Sequence, residues 1–239
     1  TSMALTTVRP QGMGFNTGRR NMVINGAMQV NQRGDKTGMT GDDYQIDRFK
    51  FGISGLGTWS SSQSTTAPDG FGYSLKLDCT VADASPAASD FLYLYTRFEG
   101  QNLQHLKKGT SEAKKVTLQF WCRCNKTGNI QVNLRDADNT RQVGATVTIS
   151  AADTWEYKTV TFPADTTGAF TNDANWSMNI EWWLDSGSNF KGGAVPTAWE
   201  AAVNTDRAVA ETLALGDSTD NEFYLTGVQL EVGENASDF

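Results

Sequence analysis

The sequence predicts an all-β protein: a two-sheet antiparallel jelly-roll sandwich with one or two short helices. Three observations lead there. Short apolar or alternating runs recur from residue 22 onward, Gly, Asn, Asp and Ser separate them, and helix-forming stretches are scarce. At 239 residues the chain can also close one large β core without covalent staples.

Taken in order, residues 1–20 carry Gly12, Gly14 and Gly18 and no apolar period, which predicts an arm or linker ahead of a single domain over 21–239. Strands are predicted over 22–30, 44–53, 57–63, 72–79, 90–98, 115–124, 130–135, 142–149, 154–162, 176–185 and 222–232. One helical turn is predicted over 102–107 and another over 197–204, where Thr197 can cap and Trp199, Ala201 and Ala202 favour the conformation. Over 207–215, Ala and Glu favour helix, whereas Val209, Leu213 and Leu215 alternate; strand is the preferred reading.

Charge narrows the function classes. A formal net charge of −7 argues against nucleic acid and anionic membrane surfaces as partners, because both require clustered Lys and Arg. No apolar run approaches the roughly 20 residues of a spanning helix, so membrane insertion is not expected, and the N-terminus lacks the order of a signal peptide. Cys122 and Cys124 lie two apart and would point the same way on a strand. Reduced, buried thiols follow, in a chain made in a cytosol.

Alternation within the strands singles out the candidate site. In VTLQFWCRC, Val116, Leu118, Phe120, Cys122 and Cys124 share one face, leaving Trp121 and Arg123 on the polar one. In NIQVNLR, Asn133 and Arg135 stand opposite Val132 and Leu134. In WSMNIEWWLD, Asn179, Glu181 and Trp183 stand opposite Met178, Ile180 and Trp182. Indoles among amide, guanidinium and carboxylate groups suit three roles: packing under a loop, a subunit interface, or a sugar platform in which the ring stacks on the pyranose.

Nothing in the spacing predicts catalysis or a metal. The single histidine, His105, has no nucleophile-elbow sequence to serve, and Cys122 and Cys124 lack the spacing and the second ligand pair of a zinc site. Glu181 and Asp185 are four residues apart, about 13 Å along a strand, whereas glycosidase carboxylates lie roughly 5 to 9.5 Å apart. The run Asp136 to Asn139 has oxygen ligands but no later Gly and Glu, and reads as a hairpin turn.

Five segments in order, NMVINGAMQVNQRG with YQIDRF, FEGQNLQHLKKGTSEAKKVTLQFWCRCNKTGNIQVNL, ADTWEYKTVTFPADTTGAF and FYLTGVQLEVG, resemble bacteriophage tail-fibre and virion structural proteins of the marine-phage type. More remotely they resemble jelly-roll carbohydrate-binding modules. The resemblance implies a first strand with a bend at Asn25-Gly26 and a polar pair, Asp47 and Arg48, forming a salt bridge that ties the next strand to it. It implies a homotrimeric virion appendage whose partners are host cell-surface polysaccharide and other virion proteins, with no enzymatic activity. Two alternatives stay open: a polysaccharide depolymerase using Glu181, Arg123, Arg135 and Tyr224, and a purely structural cement protein. No cofactor is implied. A structural calcium ion of the carbohydrate-binding modules would need carboxylates after Asn25-Gly26 and in the last strand, where this chain has Ala27, Met28, Thr226 and Gly227.

Overall fold

Apolar side chains at every second position divide the strands into an inner and an outer face, and two sheets bury their inner faces against each other. The computed structural model describes residues 21–239; the arm expected over 1–20 lies outside the described residues. The strands are β1 (Lys36–Met39), β2 (Asp43–Tyr44), β3 (Phe49–Ser54), β4 (Thr58–Ser64), β5 (Ser74–Val81), β6 (Phe91–Glu99), β7 (Val116–Cys124), β8 (Gly128–Asp136), β9 (Arg141–Ile149), β10 (Glu156–Phe162), β11 (Trp176–Ser186), β12 (Glu200–Ala201) and β13 (Glu222–Val232). One sheet has six strands in the order β1-β4-β5-β13-β7-β10, the other seven in the order β12-β9-β8-β11-β6-β3-β2. All pairings are antiparallel, and the fold is the expected two-sheet jelly roll.

Aromatic side chains lock the sheets together. Trp182 on β11 meets Phe49 of its own sheet at 6.4 Å and Phe120 of the facing sheet, edge-on, at 5.8 Å. Trp59 and Phe51 make a second edge contact between the sheets at 5.9 Å. The three cysteines are free and buried, and burial pushes the Cys122 thiol up to about 12. They behave as small apolar residues.

The opening segment departs from expectation. Residues 22–30 form turns rather than a strand. Asn25 and Met28 take left-handed backbone, φ 61° and 56°, which breaks the alternation. The Asn25 amide substitutes for a neighbouring strand: its Nδ2 donates to the carbonyls of Val30 and Asp47, and its Oδ1 accepts from Val30 N–H. Gly26 is required here, since a Cβ would lie 2.0 Å from the Val228 carbonyl oxygen. The segment fills a gap that β5 leaves, because β5 pairs with β13 over residues 222–225 and no further. Beyond it, Met22 donates to Leu230 and Val228 to Gly26. Asp47 does tie to the opening, accepting Gln32 N–H at 2.6 Å, but Arg48 pairs with Glu99 at 3.4 Å instead of with Asp47.

Other corrections are local. Residues 44–53 divide into β2 and β3. The turn over 102–107 is two short 3-10 turns, Gly100–Asn102 and Gln104–Leu106. The helix expected over 197–204 does not form, because Glu200 and Ala201 pair with the edge of β9 and the Trp199 indole donates to the Pro163 carbonyl. The strand expected over 207–215 does not form either. Its backbone meets β8 irregularly, Ala210 N–H donating to the Gln131 side chain and Thr212 and Leu213 N–H both to the Asn129 carbonyl, which is not a strand ladder.

Candidate functional site

The sequence-derived candidates fall on two opposite surfaces. Trp121 and Arg123 belong to β7 and face outward from the six-stranded sheet; Asn133, Arg135, Asn179, Glu181 and Trp183 belong to β8 and β11 and face outward from the seven-stranded one. They do not form one site.

On the six-stranded sheet the polar groups satisfy each other. Arg123 pairs with Asp153 at 2.7 Å and Glu222 at 3.1 Å, while Lys76 reaches Glu222 at 2.8 Å and the Tyr224 hydroxyl donates to Glu222 at 3.0 Å. Trp121 packs against Tyr157 at 5.3 Å. Burial pushes the Glu222 carboxyl up, but Lys76, Tyr224 and Arg123 together hold it below its ordinary value.

On the seven-stranded sheet a strap of chain, residues 187–215, crosses the outer face. It buries Trp183 completely beneath Phe190 and Ala208, with Tyr93 stacked on the indole at 4.7 Å. Polar side chains of the sheet pin its backbone: Gln131 Nε2 donates to the Asp206 carbonyl at 2.6 Å and Asn133 Nδ2 to the Arg207 carbonyl at 2.8 Å. Glu181, 2% exposed, accepts from Asn179 Nδ2, from the Trp183 indole N–H and from Arg207. Burial drives its carboxyl up, but the Arg207 charge, the indole N–H and Arg135 outweigh burial and hold it below the usual range. Such a group is an ion-paired anchor and a poor proton donor. Of the three roles open to these residues, Trp183, Glu181 and Asn133 take the first, packing beneath a loop.

The strap leaves one end of the sheet uncovered. There a cleft of about 220 Å³ opens between Tyr44, Lys50, Tyr95, Arg97 and Trp176. Cations and rings alternate across it. Arg33 lies over Tyr44 at 4.8 Å, Lys50 over Tyr44 at 5.4 Å and over Tyr95 at 6.0 Å, and Arg97 over Tyr95 at 5.0 Å and Trp176 at 4.2 Å. Tyr44 and Trp176 are 39% and 38% exposed, whereas Tyr95 forms the floor, its phenol pushed up to about 12 by burial. Arg135 and Asn179 continue this surface across the sheet in register, Arg97 opposite Asn179 and Asn179 opposite Arg135.

Trp176 is the residue that alternation misses. Counting by twos places it with Met178 in the core. A β-bulge intervenes: Trp176 pairs with Glu99 and Met178 with the adjacent Phe98, so Ser177 is an extra residue. The bulge turns the indole outward over Arg97.

The structure also tests the calcium site of the resemblance. Around Asn25-Gly26 and Gly227 the neighbours are backbone groups, the Asn25 amide that bonds to them, the fully buried Met28 and the rings of Phe71 and Trp121, with no carboxylate side chain among the described hydrogen-bond partners of Asn25. No group of three or more His, Cys, Asp or Glu positioned for a metal exists among the described residues. The residues present do not fit a calcium ion there.

No protein-family model and no curated protein matches the sequence. Solved structures similar in outline include the enzymatically active domain of bacteriophage CBA120 tailspike protein 4, with 11% identity and a TM-score of 0.44 over 89% of this chain and 21% of that one. The chain thus spans about a fifth of that tailspike domain's length. A family 11 carbohydrate-binding module from Clostridium thermocellum, in complex with a mixed-linked tetrasaccharide, matches at 8% identity and TM-score 0.41 over 83% and 95% of the two chains. The C-terminal family 22 module of C. thermocellum Xyn10B matches at 10% and 0.41 over 82% and 92%. The likeness is one of outline. At such identities and scores it carries no residue or activity across.

Proposed function

We propose that this domain is a non-enzymatic glycan-recognition module of a phage virion appendage, and that it binds host-surface saccharide on the uncovered end of the seven-stranded sheet. The observation that carries the reading is the cleft itself, in which the exposed rings of Tyr44 and Trp176 stand beside the guanidinium groups of Arg48 and Arg97, the Lys50 ammonium and the Glu99 carboxylate, which Arg48 pairs. Rings offer a flat apolar face to a pyranose, and the polar groups reach its hydroxyls. At about 220 Å³ the cleft is smaller than the roughly 300 Å³ at which small-molecule pockets begin. It suits one residue of a longer chain lying across the sheet.

The depolymerase alternative finds less support. Glu181 is buried and ion-paired, and Tyr224 and Arg123 lie on the other sheet, so the residues considered for acid, base and charge stabilisation do not converge on one point. The order of segments supports the virion assignment. A trimeric appendage would multiply weak single contacts through avidity.

The test is a glycan array probed with the wild-type domain, Trp176→Ala and Trp121→Ala, together with a solution mass measurement. The expected result is binding lost in Trp176→Ala, kept in Trp121→Ala, and a trimeric mass. Failure of the wild type to bind any saccharide would replace glycan recognition with a cement role.

A further inference from the structure

We infer that the saccharide this face accepts is acidic, with a sugar carboxylate held between Arg97 and Arg135 on either side of Asn179. The inference rests on the glycan-recognition reading above and specifies its ligand class.

The argument starts from which arginines have partners. Among the half-buried arginines of the described residues, Arg123 pairs with Asp153 and Glu222, Arg141 with Asp165, and Arg207 with Glu181. Arg97 and Arg135 have no carboxylate within 4.0 Å and no hydrogen bond to another described residue, and Arg97 Nε is buried without an acceptor. Residues 1–20 contain no Asp or Glu that could supply one. A guanidinium partly removed from water without an acceptor is costly, so two on one open surface call for an anion from outside the chain.

Geometry fits the ligand. Arg97, Asn179 and Arg135 are consecutive partners across β6, β11 and β8, which places the two arginine backbones about 10 Å apart, two strand spacings. The Arg97 guanidinium lies over both Tyr95 and Trp176, which holds it in place with Nε buried, so an anion would reach it at the terminal Nη groups. Asn179, buried and donating to Glu181 through Nδ2, spaces the two arginines across the sheet and takes no part in holding the anion. Glu181 is ion-paired with Arg207; burial first and then the like charge of Arg207 disfavour the charged Arg135, and Glu181 only partly offsets them.

The chemistry then selects. A carboxylate matches the guanidinium fork with two parallel hydrogen bonds, which a neutral sugar cannot offer. A neutral chain laid on this surface would cover both charges without compensating them, and would be rejected for that reason. The chain as a whole carries −7. Bulk attraction of polyanions is therefore weak, and recognition depends on this local pair.

Titration calorimetry of the full chain with oligogalacturonate, alginate and hyaluronan oligosaccharides, each beside its carboxyl-reduced counterpart, tests the inference. The expected result is binding to at least one acidic oligosaccharide, weakened about tenfold or more by carboxyl reduction, with affinity falling as salt rises. Arg135→Gln should weaken acidic binding to a similar degree in a domain that still melts cooperatively, at a modestly lower temperature because Arg135 also helps to keep the buried Glu181 ionised. Arg97→Lys, which keeps the charge and loses the fork, should fall between. Equal binding of acidic and reduced forms, or wild-type affinity in Arg135→Gln, would overturn the acidic ligand while glycan recognition stands. Binding confined to sulfated polymers or DNA would overturn the carboxylate. Absence of binding to any saccharide in either form would remove the underlying reading and this inference with it.

Discussion

The two outer faces of the sandwich carry similar residue types and use them differently. On the six-stranded sheet, Arg123, Lys76, Glu222 and Tyr224 form a closed set in which each charge meets its opposite. On the seven-stranded sheet, Arg207 and Glu181 close another such pair under the strap, but Arg97 and Arg135 beyond its edge stay open. Composition does not distinguish a structural face from a binding face. The distinction lies in whether the polar groups find their partners within the chain.

The largest test of this contrast is the pair of tryptophans. Trp183→Ala should destabilise the domain by about 4 kcal/mol, as a fully buried ring lost from a packed site, while Trp121→Ala, half-buried, costs clearly less. Denaturant melts measure both. Similar costs would mean that the strap is not integral to the fold. In the mutant of Trp183, faster hydrogen exchange at the Ala210 amide should report loosening of the strap.

Next comes the ion pair beneath it. Arg207→Met leaves Glu181 buried with only the Asn179 and Trp183 donors, and should cost about 3 kcal/mol. Adding Glu181→Gln should recover most of that loss. A double-mutant cycle showing simple additivity would dissolve the pair as an energetic unit.

The closed face gives a smaller effect with a defined pH signature. The carboxyl of Glu222 is held below its ordinary value of 4.5, so the stabilisation it contributes is fully present above that value and is lost as pH falls through the lowered one. Glu222→Gln should cost about 1 kcal/mol at neutral pH. Its melting temperature should converge on the wild type in acid below 4.5. A gap that stayed constant with pH would assign the effect to packing.

Trp176→Ala should have the smallest effect on stability, within about 1 kcal/mol for a partly exposed side chain. Its effect on saccharide binding should be the largest among these variants. A substantial loss of stability would make the indole a structural clamp for Arg97.

Much of the architecture was legible from alternation, and the reason is regularity. From Val116 to Cys122 the strand pairs residue for residue with β10 over Glu156–Phe162, so counting by twos assigns Phe120 inward and Trp121 outward correctly. Where the backbone leaves that regularity, counting fails. Asn25 and Met28 in left-handed conformation convert an apolar run into turns, and the Ser177 bulge reverses Trp176. Packing under a loop was one of three roles open to Trp183, and alternation could not choose among them because the covering segment, 187–215, has no regular apolar period and is pinned in part through backbone carbonyls, which every sequence possesses. Those carbonyls leave no mark in residue identity.

The bulge at Ser177 has a consequence for how such a surface can arise or vanish. One residue inserted between Phe98 and Glu99 on β6 would give Ser177 a partner, return the end of β11 to strict pairing and turn the Trp176 indole inward, whereas deleting Ser177 would leave the indole opposite Glu99 on the outer face. Variation in length at this point would therefore act as a switch between lineages. A survey confined to substitutions would pass over it.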